Sequence, residues 1–234
     1  MSHFDLTLFD AVLLDMNGTF MFGHDRFDKA EDYYSTYRVL GGVAYDAETV
    51  NRVINTCCED VAAKYEDAEW QNKFPSVQET LHQVMSAEGL PLIEIDLLVN
   101  VVAQHELGDV SPPYVEVLKH LASTHKLGVV SNIWSGKKLW LDLFERRGVL
   151  ELFDVLVFSS DGPHLKPSPE LFEQAIRATR VQPGRTLFVG DDPHRDVLGA
   201  KAAGMKTLLV GDRQAAGITP DWNIPKLTEL QQAA

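Results

Sequence analysis

Cysteine is nearly missing from this 234-residue chain. Cys57 and Cys58 are its only two, and adjacent cysteines do not easily reach disulfide geometry, so nothing points to a disulfide framework or to secretion. Positive charge is scarce as well. Against 34 acidic side chains stand 21 basic ones, and the formal charge of −13 opposes tight binding to nucleic acid or to an anionic membrane surface. No segment approaches the roughly 20 apolar residues needed to span a bilayer. The first residues also lack a basic stretch followed by a long apolar run, which makes the cytoplasm the expected location. Repeats and low-complexity tracts are absent, and the eight histidines form no ligand-spaced cluster that would suggest zinc. No feature of the sequence sets an oligomeric state.

What remains is a chain with 45% hydrophobic residues, ample for a buried core in one large domain or in a domain with an inserted partner. Ala11-Val-Leu-Leu-Asp-Met-Asn-Gly-Thr19 opens with four apolar residues that suit a buried parallel strand, and Asn17-Gly18 can turn the chain just beyond Asp15. A carboxylate at the C-terminal edge of a parallel strand lies where open α/β sheets bind ligands. The same letters also suit a capped turn, because Asp and Asn side chains satisfy nearby backbone N–H groups.

The connection Phe20 to Arg26 carries His24, Asp25 and Arg26, which are placed either to touch a substrate or to lie in a solvated loop. From Asp28 to Glu106 the pattern is helical. Asp46 is a plausible N-cap, and Val50, Val53, Ile54, Cys57, Val61 and Tyr65 then form one apolar face, so Cys57 reads as a buried structural thiol. Further helical patterns run from about Val77 to Ala87 and from Leu92 to His105. The block holds no obvious strand and reads as a helical module inserted after the first strand. Tyr33, Tyr34, Tyr37 and Trp70 within it, and Trp134 beyond it, could line a pocket or simply pack.

After Ser111-Pro112-Pro113, strands and helices alternate. Leu127 to Val130 ends at Ser131-Asn132, and Val155 to Phe158 leads to Lys166-Pro167-Ser168-Pro169, with Ser168 suited to N-cap a helix. Thr186 to Val189 ends at Gly190-Asp191-Asp192-Pro193, a second cap and helix start, and Thr207 to Val210 forms another strand. The small residues Gly199, Ala200, Ala202, Ala203 and Gly204 favour close approach of their helix to the sheet. This order predicts an α/β fold with a parallel sheet and helices on both faces. All the polar strand ends then share one edge.

Those strand ends resemble the motifs of the haloacid dehalogenase superfamily of aspartate-nucleophile hydrolases. Asp15-Met16-Asn17-Gly18-Thr19 stands for the family's Asp-x-Asp-Gly-Thr. Val129-Val130-Ser131-Asn132, Lys166-Pro167-Ser168-Pro169-Glu170 and Val189-Gly190-Asp191-Asp192-Pro193-His194-Arg195-Asp196 follow in order. The resemblance implies a Rossmann-like core over residues 1–19 and 110–234 and a helical cap over 20–109. It implies that Asp15 attacks phosphorus to give an aspartyl-phosphate. Mg²⁺ would be held by Asp15, the backbone carbonyl of Asn17 and Asp191, with Asp192 and Asp196 supporting it or orienting Lys166. Ser131, Asn132 and Lys166 would bind phosphoryl oxygens. The expected partner is a small phosphorylated metabolite.

The chain departs from the pattern at Asn17. In the family's phosphatases an aspartate there protonates the leaving oxygen and later deprotonates water, which an amide cannot do. Losing such a group typically costs about 10²–10⁴ in rate. Four readings follow: an engineered substitution that traps a bound state; a phosphatase for good leaving groups or with another proton carrier, His24 being nearest; a metal-independent dehalogenase, which the acidic cluster Asp191, Asp192 and Asp196 argues against; or a weakly active protein that binds a phosphorylated ligand or a partner.

Overall fold

Why the first strand is buried on both sides is visible in its neighbours. β1 (Ala11–Leu14) pairs in parallel with β2 (Lys126–Ser131) and with β4 (Thr186–Gly190), so that Leu14 stands beside both Val129 and Val189. The computed structural model describes residues 4–232, so the outermost positions of the expected core, 1–3 and 233–234, lie outside the described residues. With β3 (Val155–Phe158), β5 (Lys206–Val210) and β6 (Trp222–Ile224), the described strands form one parallel sheet in the order β3-β2-β1-β4-β5-β6. Order reverses on the two sides of β1, which is where a parallel sheet opens a crevice at its carboxyl edge.

Successive side chains of β1 serve two cores, as the period of a strand requires. Val12 and Leu14 join a cluster with Val117, Leu121 and Phe144, drawn from α5 (Pro112–Ala122) and α6 (Lys138–Arg146). Leu13 faces the other side with Leu171, Phe172 and Ala175 of α7 (Pro169–Thr179) and Ala200 of α8 (Gly199–Ala202). The expected α/β architecture with helices on both faces is therefore present.

The segment between β1 and α5 folds as helices around a core of its own. These are α1 (Tyr33–Val39), α2 (Ala47–Glu66), α3 (Val77–Ala87) and α4 (Ile95–Glu106). Tyr33, Tyr37, Val53, Ile54, Cys57, Leu81 and Val101 are buried together there. Asp46 caps α2 by accepting from Thr49 N, and Ser76 with Glu79 forms a reciprocal capping box on α3. Burial pushes the Cys57 thiol up to about 12, which leaves it inert.

The two chain crossings that join this helical insert to the sheet lie side by side. Phe22 and Asp109 exchange backbone hydrogen bonds, Arg26 N–H donates to His105, and the Arg26 guanidinium donates to the carbonyls of Gly23, Leu107 and Gln104. Arg26 thus fastens the hinge and does not face the cavity described below.

Three local expectations differ from the structure. Ser168 makes no capping bond; its hydroxyl donates to Asn72 Oδ1 at 2.9 Å, because the insert supplies an acceptor at that spot. Gly199 owes its size to Phe172, whose ring a Cβ would meet at 2.4 Å, so at that residue the close approach is to α7, while Ala200 packs with Leu13 and Phe188 of the sheet as expected. β6 was not expected, since Trp222-Asn223-Ile224 is short and not wholly apolar; Asn223 Nδ2 secures it through Leu209 O and Gly211 O. Among the described residues no helix is long and apolar enough to cross a membrane.

Candidate active site

At the end of β1 the Asp15 N–H still bonds Val189 O at 2.8 Å, after which the chain turns back on itself. Met16 O accepts from Phe20 N and Met21 N, and Gly18 adopts φ +78°. Only glycine suits this turn, since a Cβ there would also lie 2.6 Å from Asp191 Oδ2. The turn leaves Asp15 95% buried but facing a cavity of about 790 Å³, a size suited to a small molecule.

The other strand ends converge on Asp15. Ser131 Oγ, at the end of β2, donates to Asp15 Oδ1 at 3.0 Å. Lys166 Nζ donates to the same oxygen at 2.6 Å and to Asp196 Oδ1 at 2.6 Å. Both bonds fall on Oδ1, so Asp15 Oδ2 has no hydrogen-bond partner among the described residues. Burial alone would drive the Lys166 ammonium toward neutrality; the two carboxylates outweigh it and hold its pKa above the usual lysine value. Asn132 sets the lysine's position, accepting from Lys166 N at 2.9 Å through Oδ1. Its Nδ2 donates to Tyr65 Oη at 3.2 Å, so Asn132 is a strut within the site.

Asp191, one residue beyond β4, completes an acidic group. Carboxylate oxygens of Asp15, Asp191 and Asp196 lie within 4.8 Å of one another. Burial and the Asp15 charge push Asp191 up to about 6, and burial pushes Asp196 up to about 7. Three hard oxygen donors crowded at this cost are the donor set that a divalent cation such as Mg²⁺ takes. Asp196 is otherwise committed, however. Its Oδ1 takes Lys166, and its Oδ2 takes Asp192 N–H at 2.9 Å. Asp15 and Asp191 are thus the carboxylates better placed to hold such an ion. Asp192 is occupied as the helix cap, accepting from His194 N and Arg195 N, ahead of a wide π-turn over Pro193–Leu198.

Asn17 lines the cavity, and its Oδ1 is buried with no partner in the protein. His24 and Asp25 also line it, 3.6 Å apart. Of the aromatic candidates only Trp134 reaches the cavity wall, stacked on Phe27. Tyr33 and Tyr37 belong to the insert's core, Tyr34 packs against it, and Trp70 lies under Lys64 and Lys73.

Four further residues shape the site without having stood out in the sequence. Tyr65 turns its hydroxyl away from the apolar face of α2 into the cavity, and burial pushes that phenol up to about 12. Arg195 lies 3.8 Å over the Tyr65 ring and pairs with Glu66 at 2.8 Å. Arg213, in the loop after β5, stands 3.2 Å from Asp191 Oδ2. Glu106 ends α4 fully buried, accepting from Trp134 N at 2.5 Å and Ser135 N at 2.9 Å, and burial pushes it up to about 7. A spacing signal existed only for Arg195, three residues after a capping aspartate.

Comparison with known proteins agrees with this geometry. A family model described as haloacid dehalogenase-like hydrolase matches residues 9–204. A pyrimidine 5′-nucleotidase of Escherichia coli (strain K12) is 33% identical over 125 residues, 52% of this chain and 55% of that protein. A pyrophosphatase of Halalkalibacterium halodurans is 38% identical over 104 residues, 42% of this chain and 46% of that protein. The chain thus spans about half the length of these curated relatives. Among solved structures, a 2-haloacid dehalogenase from Pseudomonas syringae pv. tomato superimposes with a TM-score of 0.66 at 22% identity, covering 96% of this chain and 97% of that one. At that identity the likeness is one of fold.

Proposed function

Because this chain belongs to the haloacid dehalogenase-like hydrolase family, we propose that it is a Mg²⁺-dependent phosphoric monoester hydrolase acting on a small organic phosphate through an aspartyl-phosphate on Asp15. The observation that carries this reading is the Asp15 carboxylate, held through one oxygen by Lys166 and Ser131 while the other oxygen is left unbonded. A fixed nucleophile with one free oxygen is pre-oriented for attack.

Each remaining residue has a role that follows from its place. Lys166 offsets the Asp15 charge as an anionic phosphate approaches, and Ser131 can turn its hydroxyl to a phosphoryl oxygen. Asn132 fixes the backbone of Lys166, and Asp196 holds its ammonium from the far side. Asp15, Asp191 and the backbone carbonyl of Asn17 would hold Mg²⁺, which when bound supplies further neutralisation of negative charge. The helical insert roofs the cavity with Tyr65 and limits access to small substrates. With a net charge of −13, neither nucleic acid nor a membrane surface is a partner in this reading, and the cytoplasm is its setting.

A second reading, a slow or silent hydrolase that binds a phosphorylated ligand, draws on Asn17, which cannot relay a proton. Release of inorganic phosphate from a panel of small phosphates, with and without Mg²⁺, separates the two. The phosphatase reading expects Mg²⁺-dependent release that Asp15→Asn abolishes. Tight binding of a ligand that is never turned over favours the second reading, and halide release from a 2-haloacid without Mg²⁺ would indicate dehalogenation.

A further inference from the structure

The cavity that contains Asp15 also contains two guanidinium groups, and the residue at position 17 cannot protonate a departing oxygen. An alkoxide leaving group needs that proton, whereas a phosphate leaving group is already a stable anion. We propose that the substrate is a phosphoanhydride, whose departing phosphate leaves unprotonated and is received by Arg195 and Arg213. This rests on the phosphatase reading above and specifies its substrate class.

Both arginines are placed for the task. Arg195 lines the cavity with its guanidinium lying over the Tyr65 ring, and its side chain is only 18% exposed. Of its two acidic partners, Asp192 Oδ2 stands 4.0 Å away and the nearer, Glu66, is 76% exposed, and a pair so open to water contributes little and is readily exchanged. Arg213 stands on the loop after β5, and both guanidiniums come within 4.0 Å of Asp192 Oδ2. It is held only by carboxylates, Asp191 at 3.2 Å and Asp192 at 3.7 Å, and is 62% exposed, so it can turn to an arriving anion. Planar guanidinium forks match phosphate oxygens in pairs, which lysine could not do as well. Of the acids on the insert side of the same cavity, Asp25, Glu66 and Asp67 are exposed, and the buried Glu106 has its two oxygens taken by Trp134 N and Ser135 N, so they weaken this preference without reversing it.

The chemistry balances without an acid at position 17. Asp15 Oδ2 forms a bond to phosphorus while the bridging P–O bond breaks, and its electron pair departs on the second phosphate. Water then adds to the aspartyl-phosphate, the Asp15–phosphorus bond breaks, and Asp15 is restored as a carboxylate. One proton of that water passes to a phosphoryl oxygen of the product. An amide at position 17 can still donate a hydrogen bond to the departing oxygen.

The test compares inorganic pyrophosphate, 4-nitrophenyl phosphate and glycerol 3-phosphate as substrates of the native sequence and of Asn17→Asp, Arg195→Ala and Arg213→Ala. The native chain should favour pyrophosphate over glycerol 3-phosphate by at least about 10² in kcat/KM, and Asn17→Asp should raise glycerol 3-phosphate turnover by roughly 10²–10⁴. Either arginine variant should lower kcat/KM for pyrophosphate about tenfold more than for 4-nitrophenyl phosphate. Calorimetry with methylenediphosphonate, which cannot be hydrolysed, should show a similar loss of affinity in both arginine variants. Glycerol 3-phosphate turned over within about tenfold of pyrophosphate by the native chain overturns the proposal and leaves the phosphatase reading standing. A drop in that activity in His24→Gln would then identify another proton carrier. Arginine variants that weaken all three substrates equally also overturn it. If neither the native chain nor Asn17→Asp hydrolyses any of the three, the phosphatase reading itself falls.

Discussion

Tyr65 Oη accepts from Asn132 Nδ2 at 3.2 Å, which ties the last turn of α2 to the residue that follows Ser131 at the end of β2. The same Asn132 holds Lys166 N, so the helical insert and the reactive lysine share one amide. Tyr65→Phe keeps the ring beneath Arg195 and removes only the bond. The expected result is a rise of a few-fold in KM with kcat little changed, and a loss of about 0.5–1.5 kcal/mol in stability by urea denaturation. An equal fall in kcat at constant KM would place Tyr65 against the reacting atoms instead.

Lys166 is a buried cation between two buried carboxylates, so its two partners are unequal to it in importance. Lys166→Met leaves Asp15 and Asp196 facing each other with no counter-charge and should cost roughly 3–5 kcal/mol. Asp15→Asn leaves the lysine paired with Asp196 and should cost distinctly less, although both variants abolish turnover. Denaturant midpoints decide this. A Lys166→Met protein as stable as Asp15→Asn would show that the carboxylates take up protons freely.

Most of the site was legible because parallel strands deliver their C-terminal residues to one edge whatever their separation in sequence. Asp15, Ser131, Lys166 and Asp191 could be assembled on that basis, and the caps at Asp46 and Asp192 followed from local hydrogen-bonding chemistry. Glu106 could not be seen this way. At the end of a helical pattern it reads as a solvated charge, and only the return of the chain across the hinge buries it against Trp134 N and Ser135 N. Tyr65 kept its place on the apolar face while its hydroxyl left it, a distinction that spacing does not encode. Arg213 lies in a loop with no periodicity, and β6 has too few residues to show a period.

Stability should depend on pH in a direction set by the buried acids. Asp191 is pushed up to about 6, and Glu106 and Asp196 up to about 7, all above ordinary carboxyl values. Between about pH 4 and pH 7 the folded chain therefore holds protons that the unfolded chain has released, and stability falls as pH rises through that window. In chelator, thermal unfolding should occur at a higher temperature at pH 5 than at pH 8. Mg²⁺ should raise it at pH 8 and have little effect at pH 5, where protons compete for the same oxygens. Asp191→Asn should flatten both trends; an undiminished Mg²⁺ effect in that variant would remove Asp191 from the cation site.

Gly18→Ala tests the turn itself. The backbone there has φ +78°, and an added Cβ would press on Asp191 Oδ2 at 2.6 Å. A loss of about 1 kcal/mol or more in stability is expected. Mg²⁺ stabilisation should weaken together with turnover, as read by the thermal shift at pH 8. Retained Mg²⁺ stabilisation would mean that Asp191 moves aside without leaving its ion.

The paired crossings at Phe22 and Asp109 give the insert an unusual standing in the architecture. Along the chain, the helical module begins and ends at one hydrogen-bonded bridge, and it meets the sheet a second time through Tyr65, Asn72 and Glu106. A module attached at two places can change length in its outer turns while Phe22 stays paired with Asp109 and Tyr65 with Asn132. The edge where Asp15, Ser131 and Lys166 meet and the insert that covers it are therefore bound to change together, since Asn132 bonds to both.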